Sequence, residues 1–218
     1  MAKSYLVIGL GNFGSTVVRE LSRLNCKVTA VDQDREKVQL IKDVPLVTAV
    51  VGRADSHEFL ERLNVADFGN VVVSTGEDSH SSILITMYLR ELKAESVVVK
   101  ANSQDHAKIL TKVGATQTVI PEQQMAVKVA HSLAHPNLID LLPLTSDFVV
   151  AELTPNESLV GKKLKDSEIR SRFRIQVVAV RKAERSNLVF VPDGEYQIMS
   201  DDILIVLGLE SDIVRMKG

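Results

Sequence analysis

Short apolar runs recur along the first part of the chain: YLVIG near its start, then KVTAV (27–31), LVTAVV (46–51), NVVVS (70–74), SVVVK (96–100) and QTVI (117–120). They are rich in Val and Ile and continuous rather than alternating, the pattern of parallel strands covered on both faces. The segments between them carry apolar residues at helical spacing. Phe13, Val17, Val18, Leu21 and Leu24 share one face of 13–24, and His106, Ile109, Leu110 and Val113 share one face of 105–113. Six strands alternating with helices predict a doubly wound α/β sheet.

The rhythm breaks at residue 121. EQQMAVKVAHSLA reads as a helix with Met125, Val127, Val129, Ala130 and Leu133 apolar, and PNLIDLLPL reads as a second, short and very apolar helix restarting after Pro136. Apolar side chains spread beyond one stripe need cover on more than one side. This crossover is expected to pack on a partner subunit or a second domain; burial within one domain is the other reading. From 147 the texture changes again. DFVVAELTP, IQVVAVRK, NLVFVP and DDILIVLG read as strands, ESLVGKKLKDSEIRSRF as a polar helix containing a Gly, and ESDIVRMK as a terminal helix. The expected organisation is a nucleotide-binding α/β domain over 1–121, crossover helices over 122–145 and a small α+β domain over 146–218.

Composition narrows the function classes. The 218 residues carry a net charge of -2, with 45% hydrophobic and 25% charged residues, as in ordinary globular proteins. There is no basic excess to draw in nucleic acid by counterion release. MAKSYLVIGL lacks the apolar core and cleavage site of a secretory leader, and no apolar run reaches the roughly 18 residues of a membrane span. A single cysteine, Cys26, cannot form an internal disulfide, which fits a reducing cytoplasm.

The candidate chemistry begins at GLGNFG, Gly9 to Gly14. A strand-like run precedes it, a helical run follows from Phe13, and an acid, Asp32, closes the second strand 18 residues after Gly14, near the separation of about 20 in a dinucleotide-binding unit. Gly9 permits a tight turn, Gly11 lets backbone approach a pyrophosphate, and Gly14 lets helix and strand pack closely. The helix start offers free N–H groups and partial positive charge to phosphates. Asp32 can accept from ribose hydroxyls and would repel a 2′-phosphate, so NAD, ADP, ATP or AMP fit better than NADP. Other candidates fall after later strands: Arg53 and Asp55 in GRADS; Ser74, Thr75, Gly76, Glu77 and Asp78 in STGED; and Lys100 and Asn102. Arg53 and Lys100 are the cations placed to meet phosphate charge.

A catalytic set is not found. Tyr5, Tyr88 and Tyr196 are followed four residues later by Gly9, Leu92 and Ser200, not by Lys, and there is no G-x-S-x-G and no phosphate-loop Lys. His131 and His135 have metal-compatible spacing, but HSLAH lacks the Glu of H-E-x-x-H and a third ligand. His57, His80 and His106 have no visible partners.

YLVIGLGNFG, AVDQDREKV, GRADSHEFL, VVVSTGED, VVVKANSQDHAKIL and KVGATQTVIPEQQMAVKVA together resemble the regulator-of-potassium-conductance (RCK, or KTN) domain. The tail from FVVAEL to LIVLGLESDI resembles its small C-terminal companion, TrkA-C. The likeness runs along essentially the whole chain and is nearest to the regulatory subunits of Ktr/Trk bacterial potassium transporters. It implies a Rossmann-like domain with a crossover helix and a small α+β domain, and a non-enzymatic gate. Such subunits are cytoplasmic, dimerise through the crossover helices and assemble into octameric rings beneath a membrane potassium pore subunit. ATP favours the activating shape and ADP the inactive one, and NAD or NADH takes the site in Trk-like members. By position, the resemblance assigns Gly9, Gly11, Asn12, Phe13 and Gly14 to the phosphate loop and Asp32 to the ribose. Lys100 then lines the pocket, beside the strand-end candidates Arg53, Asp55, Thr75 and Gly76, and Glu122 holds Mg2+ or another divalent cation near the phosphates. Asn12 departs from the family's usual Arg, which reaches the distal phosphate; Arg53 is the candidate substitute. Some relatives bind cyclic di-AMP in the C-terminal domain, where Ile169, Arg170, Ile175 and Gln176 stand. A small NAD-dependent oxidoreductase and a stand-alone nucleotide sensor are the alternatives.

Overall fold

A computed structural model describes residues 4–76, 78–134, 138–145, 147–182 and 188–216. The chain forms two compact units, one ending at Gln123 and one starting at Gln124.

The first unit is a parallel sheet of six strands: β1 (Ser4–Ile8), β2 (Lys27–Asp32), β3 (Val47–Val51), β4 (Asn70–Val73), β5 (Val97–Lys100) and β6 (Gln117–Val119). Their order is β3-β2-β1-β4-β5-β6, every neighbouring pair parallel. The crossovers contain α1 (Asn12–Arg23), α2 (Arg35–Gln39), α3 (His57–Arg62), α4 (Ser79–Glu91) and α5 (Gln104–Val113). The continuous apolar strands now have their reason. Side chains alternate across the sheet, so Leu6 and Ile8 enter one core with Val71, Val73, Leu89 and Leu110, while Val7 enters another with Val18, Val28 and Ile41. The order reverses between β1 and β4, where open α/β sheets form a ligand crevice beyond the strand ends.

Helix capping singles out that place. The N-cap side chains of the later helices satisfy first-turn amides: Asp34 accepts from Glu36, Ser56 from Phe59, Asp78 from Ser81 and Ser103 from His106. At α1 the cap is Gly11, which has no side chain to do so.

The helix α6 (Pro121–Ala134) starts at the end of the first unit and continues into the second. The second unit is an antiparallel sheet of β7 (Leu138–Pro143), β8 (Phe148–Leu153), β9 (Gln176–Lys182), β10 (Leu188–Phe190) and β11 (Asp202–Leu209), ordered β10-β9-β11-β8-β7. The helices α7 (Ile169–Phe173) and α8 (Glu210–Arg215) accompany it. Val149, Ala151, Ile175, Leu204, Val206 and Ile213 form its core. Asp202 is buried inside it, accepting from Tyr196 Oη and Met199 N and paired with Lys182 at 2.7 Å.

Three expectations are corrected. Residues 138–143 are a strand, not a helix, paired antiparallel with β8 in the register Leu141–Ala151 and Leu142–Val150. A run of about six apolar residues has no period that separates the two states, and Pro143 is tolerated because β7 is an edge strand. The polar segment 157–173 is not one helix. Gly161 (φ 82°) and Glu168 (φ 56°) enter the left-handed region and divide it, leaving a 3-10 turn at Leu164–Asp166 and the five-residue α7. The helical faces are also shorter than predicted, because Leu24 is 71% and Ile109 47% exposed.

Candidate functional site

The glycine loop fills the gap between β1 and α1. Gly9 has φ 90°, and a Cβ there would lie 2.0 Å from the Ser74 carbonyl oxygen. A Cβ on Gly14 would lie 1.9 Å from the Gly9 carbonyl oxygen, whereas one on Gly11 would meet nothing within 4 Å. Two glycines therefore allow backbone to touch backbone, and the third leaves open space. That space adjoins the uncapped start of α1, whose first amides have no intrahelical partner. The partial charge and the free donors together suit an anion.

Asp32, at the end of β2, braces the loop. One carboxylate oxygen accepts from Leu10 N at 2.6 Å and the other from Asp34 N at 2.9 Å. The loop, the end of β2 and the starts of α2 and α4 enclose a cleft of about 220 Å³. Gly9, Gly11, Asp32, Asp55, Thr75 and Gly76 line it, six of the residues read from sequence. Ser74 and Asp78 line it too, while Glu77 lies outside the described residues.

The other candidates sit elsewhere. Asn12 is exposed at the helix start, Phe13 is half-buried, and Gly14 lies beneath the loop. Arg53 forks Asp55, with Nη2 to Oδ2 at 2.7 Å and Nε to Oδ1 at 3.1 Å. Lys100 pairs with Glu122 at 2.5 Å, its side chain 16% exposed. Neither Lys100 nor Glu122 lines the cleft. Among the described residues no group of three or more potential metal ligands forms.

Sequence reading missed Gln33, Lys37, Ser81 and Ile85, which also line the cleft. Lys37 had a signal: Asp34 is the N-cap of α2, which brings Lys37 back beside it, Nζ 3.9 Å from Asp34 Oδ2. It is the cation among the lining residues. Opposing it, the Arg53 guanidinium holds the Asp55 carboxyl below the usual carboxylate range, and hydrogen bonds from Ser81 do the same for Asp78. Asp55 and Asp78 are therefore ionised at neutral pH, the first of them paired with Arg53. Lys100, by hydrogen bonding, likewise holds the Glu122 carboxyl low.

Three of the histidines have structural partners, and His80 is exposed. His57 lies 3.8 Å from Glu91 and edge-on to Tyr88, and His131 lies 3.4 Å from Glu210. His135 is outside the described residues. His106 is buried, 3.0 Å from Ser82 Oγ and 2.9 Å from Asn102 Oδ1, and burial lowers its pKa.

In the second unit, Ile169, Arg170, Ile175 and Gln176 line a groove of about 640 Å³. Ile169 and Ile175 point their bulk into the core, and Arg170 and Gln176 are exposed.

The chain matches the TrkA-N domain family over residues 5–121 and the TrkA-C domain family over residues 148–217. It is 35% identical over 217 residues to the Ktr system potassium uptake protein C of Bacillus subtilis (strain 168), covering 100% of this chain and 97% of that one. To the Ktr system potassium uptake protein A of the same organism it is 31% identical, covering 99% and 96%. Its fold superposes on the GsuK RCK domain with a TM-score of 0.68 at 18% identity, covering 100% of this chain and 47% of that chain. On the GsuK channel bound to NAD the TM-score is 0.68 at 19% identity, covering 97% and 38%.

Proposed function

From the premise that this chain belongs to the family joining a TrkA-N to a TrkA-C domain, we propose that it is a nucleotide-responsive regulatory subunit of a potassium uptake system. It is a gate component rather than an enzyme, as its full-length Ktr relatives are uptake proteins. The observation that carries the nucleotide reading is the uncapped start of α1 above an open Gly11, with Asp32 one strand away. The free amides take phosphates, the bare glycine lets them approach, and the carboxylate takes ribose hydroxyls.

ATP and ADP are the ligands proposed first, with NAD or NADH second. Each acts by binding two conformations of the subunit unequally, since a ligand shifts an equilibrium only by its differential affinity. Thr75 and Gly76 form the wall beyond the glycine loop; Lys100 and Glu122, which do not line the cleft, are proposed to meet the distal phosphates. A divalent cation such as Mg2+ at Glu122 would have to displace the Lys100 ammonium or share the carboxylate with it. Cyclic di-AMP is the ligand proposed for the groove at Ile169, Arg170, Ile175 and Gln176.

The crossover helix supports self-association. None of its residues is buried, and Met125, Val127, Val129 and Leu133 are exposed along it. We propose a homodimer through α6, assembled into a ring against a membrane potassium pore subunit at the cytoplasmic face. No helix among the described residues is long and apolar enough to cross a membrane.

Calorimetric titration with ATP, ADP, AMP, NAD and NADH, with and without magnesium, tests the ligand. Binding of ATP and ADP supports the energy-sensing form, binding of NAD or NADH alone replaces it with a redox-sensing one, and no binding refutes the nucleotide reading. Co-purification of a potassium pore subunit tests the role.

A further inference from the structure

The segment Gly52–Asp55 leaves β3 directly beside Asp32. Asp32 and Val51 are paired in register, and Gly52 donates its N–H to the Asp32 carbonyl at 3.0 Å. Gly52, Ala54 and Asp55 line the cleft. A nucleotide with its phosphates on α1 and its ribose on Asp32 carries its base away from the phosphates, toward this segment. The ground there is apolar and fixed. Val31 and Ala54 are buried, and Gly52 lies so close to the Phe59 ring that a Cβ would come within 2.1 Å of it. What the base lacks is a cover.

Arg53 stands at the rim of this end of the cleft, its side chain 72% exposed. Two parallel hydrogen bonds to Asp55 fix the guanidinium as a plate. Its chain neighbours Gly52 and Ala54 and its partner Asp55 all line this end of the cleft. A planar delocalised cation with an uncovered face is suited to stacking on an aromatic ring, which an ammonium is not.

Resting on the nucleotide reading above, we propose that Arg53 recognises the base: its guanidinium, oriented by Asp55, stacks on the purine of a bound adenine nucleotide and does not neutralise its phosphates. The phosphate charge is then met by the α1 amides, and Arg53 does not stand in for a cation at position 12.

The test uses the full chain and the variants R53A and R53K, titrated calorimetrically with AMP, ADP, ATP and NAD. Stacking predicts that R53A weakens all four by a similar factor, about tenfold, because the adenine is their common part. R53K recovers little, since it restores charge without the plate. A loss that grows from AMP to ATP and is restored by R53K shows a phosphate contact and overturns the proposal, as does R53A binding like the wild type. A wild-type chain that binds none of the four refutes the nucleotide reading and the proposal with it. Because Arg53 is exposed, an unchanged melting temperature in both variants is expected and separates binding from folding.

Discussion

Gly11, the cap of α1, and Gly14, in its first turn, stand three residues apart, and the structure gives them opposite jobs. In G14A the new Cβ would be placed 1.9 Å from the Gly9 carbonyl oxygen, so α1 and the loop would have to separate by about 1.5 Å to reach an ordinary 3.4 Å contact. Both groups are backbone, and neither can rotate away. Overpacking of this kind costs about 1–3 kcal/mol or more, which for a chain of this size lowers the melting temperature by roughly 2–4 °C per kcal/mol. In G11A the Cβ meets nothing within 4 Å, and φ is -66°, a value any residue adopts. Its fold should melt within about 0.5 kcal/mol of wild type, as surface changes do. Yet its methyl occupies the space through which phosphates reach the α1 amides. Nucleotide affinity should therefore fall by about tenfold or more, the worth of a misplaced charge-assisted bond. Thermal unfolding and calorimetric titration of both variants form the assay. Wild-type stability in G14A would refute the packing argument. Wild-type affinity in a folded G11A would refute the assignment of phosphates to the open side of the loop.

Other outcomes follow from groups outside the cleft. His106 has its pKa lowered below the ordinary 6.5 by burial, so between those two values the unfolded chain holds a proton that the folded one does not. Its contribution to stability is complete above about pH 6.5 and is lost as pH falls from there through the lower folded-state pKa. Urea unfolding at about pH 7.5 and about pH 5.5 should show a smaller difference in H106Q than in wild type; an equal difference counts against the buried-histidine account. The carboxylate of Asp202 is fully buried and serves Tyr196, Lys182 and Met199. D202A should cost on the order of 3 kcal/mol in unfolding free energy, and the Tyr196 phenol, now raised by burial and by Asp202, should ionise at lower pH in an absorbance titration. M125E/L133E alters side chains that are exposed on α6. The subunit should keep its circular dichroism spectrum but shift to a smaller species in light scattering; an unchanged molar mass would move the association surface elsewhere.

The parallel sheet was legible because Val-rich runs buried on both faces have no other home, and because each is followed by helical spacing. The glycine loop was legible for a different reason: Gly9, Gly14 and Asp32 combine a positive φ, a backbone contact and a charged strand end at fixed separations. What escaped depends on the third dimension. Residues 138–143 needed the partner strand β8 to decide between two states that their composition allows equally. Lys37 and Ser81 reach the cleft only because the capped starts of α2 and α4 turn toward it. The Lys100–Glu122 pair joins residues 22 apart, and spacing alone does not announce such a contact. Arg53 was readable as a cation near phosphates, but its fork with Asp55 is a matter of rotamers.

The carboxylate of Asp32 accepts from Leu10 on one oxygen and from Asp34 on the other, so the shape of the cradle is held by the chain's own backbone. A guest that finds its seat made gains speed and loses little entropy on sitting down, but it reports nothing by doing so. News of which guest has come must be carried by what that guest touches beyond the seat. Under the proposed function, the message would be written at the rim, and the most sensitive place to tune the response would be there, leaving the glycine loop alone.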